Sequence, residues 1–109
     1  MKSYLGEFEE LVLLTIAVLG DEAYGVAIKD AIEAKANRSI SIGSLHSTIT
    51  RLEEKGFITS RLGGATASRG GRRKRFFSLT NDARQVLQQI KALRDDLWNL
   101  SDLGTEPSV

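Results

Sequence analysis

Phe57-Ile58-Thr59-Ser60-Arg61-Leu62, then Gly63-Gly64-Ala65-Thr66-Ala67-Ser68-Arg69-Gly70-Gly71-Arg72-Arg73-Lys74, then Arg75-Phe76-Phe77-Ser78-Leu79, is the stretch that decides the fold. Both flanks alternate along the chain and carry β-branched or aromatic residues, which is the pattern of short strands. The run between them holds too many glycines to be regular structure. Two strands joined by a long basic loop make a wing.

Working outward, residues 42–55 upstream read as a helix with Ser41 as its N-cap and Gly56 as its stop. Before it, Tyr24 to about Ala36 reads as another helix, with Val26, Ile28 or Ala31, and Ile32 on its apolar side. From Glu7 to Leu19 a first helix is apolar on more than one face: Phe8, Val12, Ile16 and Leu19 make one stripe and Leu11, Leu14 and Val18 a second. A helix of that kind must be covered on most sides. Downstream of the wing, Thr80 is an N-cap with Asp82 in the first turn, and the helix it starts runs to about Ser101. The order is helix, helix, helix, strand, wing, strand, helix. The expected fold is mainly α with a small two-stranded β-wing: a winged helix-turn-helix unit over residues 1–80, a C-terminal dimerisation helix over 81–101 and a tail over 102–109.

Charge is segregated along the chain. Its 109 residues carry a net charge of only +1, yet residues 37–81 hold nine bases against two acids, whereas the segments before and after are acidic. A basic middle between acidic ends fits one surface that faces a polyanion. The chain has no cysteine and a single histidine, which removes disulfides, thiolate metal sites and a cysteine nucleophile; no glycine-rich phosphate loop stands between a strand and a helix. These absences argue against an enzyme, and no cofactor is expected. The longest apolar stretch, Leu11 to Leu19, is about half of the ~20 residues a membrane span needs, and no leader pattern opens the chain, so a cytoplasmic location is expected.

Two surfaces carry the chemistry. On the third helix, Ile42, Leu45, Ile49 and Leu52 cluster on one side, facing the core, while Ser44, Ser47, Thr48, Arg51 and Lys55 lie opposite. Small hydroxyl side chains let a helix approach the floor of the major groove, and arginine binds guanine bidentately. A merely solvated helix face would read the same way. The wing tips the balance: from Arg69 to Arg75 five of seven residues are cationic, at 69, 72, 73, 74 and 75, and Gly70 and Gly71 let the backbone approach a surface closely. Phosphate contacts from the wing supply affinity and the helix supplies the register. Docking of an acidic protein remains an alternative for the same basic face. RNA is disfavoured because exposed aromatics for base stacking are not interleaved with the bases.

The last helix carries an a/d seam, Ala83, Val86, Ile90, Leu93, Leu97 and Leu100, spaced 3, 4, 3, 4, 3. By Leu93 it is roughly 20 Å past its start at 1.5 Å per residue, beyond the reach of so small a domain. Burying Ile90, Leu93, Leu97 and Leu100 at roughly 1.5–3 kcal/mol each in both copies offsets the ~4–15 kcal/mol lost on association. A homodimer is expected, with Leu11, Leu14 and Val18 of the first helix joining the interface. Trp98 flanks the seam as a candidate contact for a planar aromatic effector, although a lone tryptophan at a helix edge is more often packing.

Several stretches resemble the PadR-like transcriptional regulators: Leu5-Gly6-Glu7-Phe8-Glu9-Glu10-Leu11, Ala23-Tyr24-Gly25-Val26, Gly43-Ser44-Leu45, Arg51-Leu52-Glu53-Glu54-Lys55-Gly56-Phe57-Ile58 and Arg69 to Thr80. The resemblance spans roughly residues 5–100 in unbroken order. It implies a dimeric winged-helix repressor that binds double-stranded DNA at a pseudo-palindrome, with the third helix in the major groove and the C-terminal helix packed on its partner. Control by a small-molecule effector at the dimer interface is a further expectation. Two positions depart from the family. His46 stands where the family usually has a tyrosine that can contact a backbone phosphate, and Asn81 stands where it often has proline.

Overall fold

A computed structural model describes residues 5–63 and 73–105. Helix α1 (Glu7–Leu19) is followed by a 3-10 turn (Gly20–Glu22), α2 (Gly25–Ala36), α3 (Ile42–Glu54), strands β1 (Ile58–Leu62) and β2 (Arg75–Leu79), and α4 (Asn81–Leu100). The two strands pair antiparallel, with Ile58 opposite Leu79 and Leu62 opposite Arg75. Tyr24 bridges to Phe76, and the Phe77 N–H donates to the Ala23 carbonyl at 2.8 Å, so the segment before α2 clasps the outer edge of β2.

Helix boundaries follow from local chemistry. Three acids, Glu7, Glu9 and Glu10, sit in the first turn of α1, where the helix dipole favours negative charge. Asn37 ends α2 in the left-handed region, at φ 55°, which asparagine tolerates better than most residues. The following turn is closed by Glu33, which accepts from the Ile40 N–H at 2.9 Å; that bond and then Lys29 hold its carboxyl below the ordinary carboxylate value. Ser41 caps α3 by accepting from the Ser44 N–H. Gly56 then reverses the chain at φ 80°.

Thr80 does two things at once. Its hydroxyl accepts from the Ala83 N–H, capping α4, and donates to the Gly56 carbonyl at 2.8 Å, while its own N–H donates to the Phe57 carbonyl at 3.0 Å. The root of α4 is thereby fastened to the turn that ends α3. Asn81 stands at the first helical position where the family often has proline, and the side-chain cap at this start comes from Thr80.

The core gathers Val12, Leu13 and Ile16 of α1, Ile28 and Ile32 of α2, Leu45, Ile49 and Leu52 of α3, then Phe57, Ile58, Phe77 and Ala83. Leu13, which belonged to neither stripe expected of α1, is fully buried. Two residues expected in the core are outside it: Val26 is 57% and Ile42 45% exposed, each at the start of a helix where the chain opens toward solvent. Ala83 is the only buried residue of α4 among those described; Val86 and Leu87 pack partly on the core, and every residue from Lys91 to Leu100 is exposed. Helix α4 projects from the domain, and the molecule extends 60 Å along its longest axis but 22 Å along its shortest.

Candidate nucleic-acid interface

The outward side of α3 is rotated from the expected one. Leu45, Thr48, Ile49 and Leu52 are buried, whereas Gly43, Ser44, His46, Ser47, Thr50 and Arg51 are exposed. Thr48, expected to face DNA, is 1% exposed and cannot reach a base. Its methyl end suits the core, and its hydroxyl accepts from Arg51 Nη2 at 3.1 Å, so the buried polar atom is satisfied. The centre of the open face is Gly43, Ser47 and Thr50, flanked by His46 on one side and Ser44 on the other. Thr50 was missed by the sequence reading; a helical wheel centred on Leu45 and Leu52, with Thr48 turned inward, would have found it.

The cations of α3 do not extend straight out from this face. Arg51 Nε donates to Glu9 Oε2 at 3.3 Å, and Lys55 Nζ donates to both Glu9 oxygens at 2.9 and 3.0 Å. Glu9 is 6% exposed. Burial pushes its carboxyl up, but the Gly6 N–H, the hydrogen bond and charge of Lys55, and Arg51 together outweigh burial and hold it below the ordinary value. Arg51 and Lys55, expected on the DNA-facing side, are therefore bent onto α1.

At the base of the wing Arg73, Lys74 and Arg75 are all exposed. Arg69 and Arg72 lie outside the described residues. Lys74 Nζ sits 4.0 Å from the Tyr24 ring centre, Tyr24 meets Phe76 edge to face at 5.6 Å, and the Arg61 guanidinium covers Phe76 at 4.9 Å. This alternation of cation and ring fixes the wing base against the start of α2. Gly63 belongs to the same contact: a Cβ there would come within 2.3 Å of the Phe76 ring. Arg75 Nε donates to Ser60 Oγ, which donates to Glu53, tying the wing to α3. Between wing base, α2 and α3 lies an open groove of about 630 Å³, walled by Tyr24, Val26, Ile42, His46, Thr50 and Lys74 among others.

The exposed side of α3 thus carries hydroxyls and one imidazole beside the exposed cations of the wing base, the residue types that contact base edges and phosphates. Nothing among the described residues groups three or more histidine or acidic side chains as a metal site, and no described helix is long and apolar enough to cross a membrane.

The seam residues are placed as follows. Leu93 is 59%, Leu97 58% and Leu100 78% exposed in the single chain, and Leu14 and Val18 are exposed on α1. Leu11 and Ile90 are half-buried, Leu11 packing partly on its own core. Trp98 is half-exposed, and the chain after α4 returns to it so closely that a Cβ on Gly104 would lie 2.8 Å from the indole nitrogen.

A family model described as the transcriptional regulator PadR-like family matches residues 13–89. Among solved structures, a PadR-like transcription factor from Bacteroides fragilis superposes with a TM-score of 0.67 at 20% identity, over 85% of this chain and 84% of its own. A transcriptional regulator from Clostridium thermocellum gives 0.66 at 21% identity, over 91% of both chains. A PadR family transcriptional regulator from Eggerthella lenta gives 0.60 at 26% identity, over 92% of this chain and 88% of its own. No curated protein matches the sequence.

Proposed function

As the chain belongs to the PadR-like transcriptional regulator family, a family of DNA-binding regulators and not of enzymes, we propose that it acts in the cytoplasm as a homodimeric repressor of a pseudo-palindromic operator, released by a small-molecule effector. The observation that carries the DNA half of this reading is the juxtaposition of the open hydroxyl face of α3 with the exposed cations at the wing base. In this reading residues 1–80 are the DNA-binding unit, Ser44, His46, Ser47 and Thr50 enter the major groove, and Arg73, Lys74 and Arg75, with Arg69 and Arg72 of the wing loop, meet phosphates. His46, on the wall of the groove, takes the backbone contact that a tyrosine makes elsewhere in the family.

Selection of bound duplexes from a random pool tests sequence preference, and salt titration tests the division of labour. Arg73→Ala with Lys74→Ala is expected to weaken binding to all duplexes alike and to flatten the slope of log affinity against log salt by about 0.9 per lost phosphate contact. A variant that changes the preferred sequence but keeps the slope would assign base reading to the wing. Binding to an acidic protein with no affinity for duplex DNA would point to an interaction module instead.

The dimer half rests on Leu93, Leu97 and Leu100, a row of large apolar side chains that a single copy leaves in water. In this arrangement residues 81–101 pair with their counterparts and the tail 102–109 follows. For the effector, support comes from Trp98, a half-exposed aromatic beside that row. An aromatic compound that releases DNA is expected to quench Trp98 emission in parallel. Release with unchanged emission, and equal potency on Trp98→Ala, removes this residue from control.

A further inference from the structure

The three acids in the first turn of α1 each take a cation from a different part of the chain. Glu7 pairs with Arg38 at 3.3 Å, Glu9 with Arg51 and Lys55, and Glu10 with Arg94 of α4 at 2.9 Å. The Glu7 and Arg38 side chains are largely in water, and a pair of that kind contributes little. Glu9 differs from the other two. Its side chain is 8% exposed, and both oxygens are in use: Oε1 accepts from the Gly6 N–H at 2.9 Å and from Lys55, Oε2 from Lys55 and Arg51. The bonds to α3 join residues 42 and 46 positions apart.

What Glu9 holds is the one arginine of α3. Ser44, Ser47 and Arg51 follow at intervals of three and four, so the Arg51 stem rises from one row with two exposed serines. Its side chain is 53% exposed, yet two of its N–H groups are already donated on the protein side, to Glu9 and to Thr48. A guanidinium reads guanine by presenting two parallel donors to O6 and N7. Of its five N–H donors, Nε and one on Nη2 are committed to the protein, so the side-on fork is taken, and an end-on approach through Nη1 and Nη2 has to be made from the position that Glu9 imposes.

We propose that Glu9 is a specificity-determining residue that acts through Arg51: by holding this guanidinium and the Lys55 ammonium against α1, it withholds two cations from the DNA surface and leaves base discrimination to Ser44, Ser47 and Thr50. The proposal rests on the reading of α3 as the recognition helix. Its consequence is a division of charge within one fold. In this reading Arg73 and Lys74 at the wing base meet phosphates, Arg51 and Lys55 are kept back, and non-specific affinity stays low enough for weak hydroxyl contacts to decide the site.

The test compares the wild type with Glu9→Gln, Arg51→Ala and the double variant, each measured against the tightest selected duplex and a random-sequence duplex over a range of salt. Glu9→Gln is expected to bind the random duplex roughly tenfold more tightly at low salt, to steepen the salt slope by about 1–2, and to narrow the preference for the selected site, because each added phosphate contact contributes ~0.9 to the slope. Arg51→Ala alone is expected to leave the slope unchanged, and in the Glu9→Gln background to return it toward the wild-type value. A purely structural role for Glu9 predicts weaker binding to every duplex at an unchanged slope, which overturns the proposal. A slope lowered by about 0.9 in Arg51→Ala overturns it too, and needs no Glu9 variant to fold. In both of those cases the wild type still binds duplex DNA; a wild type that binds none would instead remove the underlying reading of α3.

Discussion

Leu93→Glu combined with Leu97→Glu is expected to convert a two-fold dimer into a 12.0 kDa monomer that loses specific DNA binding. In a single subunit these side chains are 59% and 58% exposed, so the charges do not disturb its own core, and exposed substitutions of this kind usually change stability by about 0.5 kcal/mol or less. In the proposed dimer the same positions would face their counterparts across the seam, where unpaired carboxylates must be desolvated against each other. Losing the second subunit removes bivalent engagement of two half-sites, a factor of roughly 10²–10⁴ in affinity. Sedimentation at micromolar concentration, with circular dichroism to show that the helices persist, is the measurement. A wild type that sediments only as monomer rejects the dimer, and a variant that remains dimeric moves the interface away from α4.

Ser47→Asp with Thr50→Asp is expected to lower affinity for every duplex by at least about 100-fold, close to 3 kcal/mol, while the melting temperature barely moves. Both residues are exposed at the centre of the open side of α3, where neither side chain supports the core. Carboxylates there would face acceptor-rich base edges and flanking phosphates, and like-charge juxtaposition at an interface costs several kcal/mol. Ser47→Ala and Thr50→Ala should instead change which duplexes are preferred, with smaller losses. Unimpaired binding by the double aspartate variant would mean that α3 does not enter the groove.

Much of this architecture is legible in the sequence because its signals are local. Thr80 caps α4 with its own hydroxyl, the glycine run separates two strands, and the 3-4 spacing from Ala83 to Leu100 marks a helix whose apolar edge is covered at its root and left uncovered by the single chain from Leu93 onward. The orientation of α3 was harder to read for a physical reason. Thr48 was read as polar and Ile42 as apolar, but the structure buries the first and exposes the second, since a threonine with a bonded hydroxyl fits a core and a first-turn isoleucine beside an open groove need not. Two such exchanges turn the apparent polar face by about one residue, or ~100°. The role of Glu9 had no local signal at all. Its partners lie more than forty positions away, and an acid in a first turn reads equally well as a simple complement to the helix dipole.

The double fastening of Thr80 makes α4 a lever. Its hydroxyl and its N–H grip the carbonyls of Gly56 and Phe57, immediately beyond α3, so the root of α4 is tied directly to the turn that ends α3. Twenty residues of helix span ~30 Å, and a tilt of about 10° at that root displaces the far tip by roughly 5 Å. In the proposed dimer, a displacement of a few ångströms at Leu97 and Leu100 would become a small, symmetry-related rotation of both α3 helices. Proposed half-sites at ~34–36 Å would then be gripped or released by both helices together after only a slight turn. In that arrangement the fold would gear a remote contact to the helix that reads DNA, with a single hydrogen-bonded threonine as the pinion.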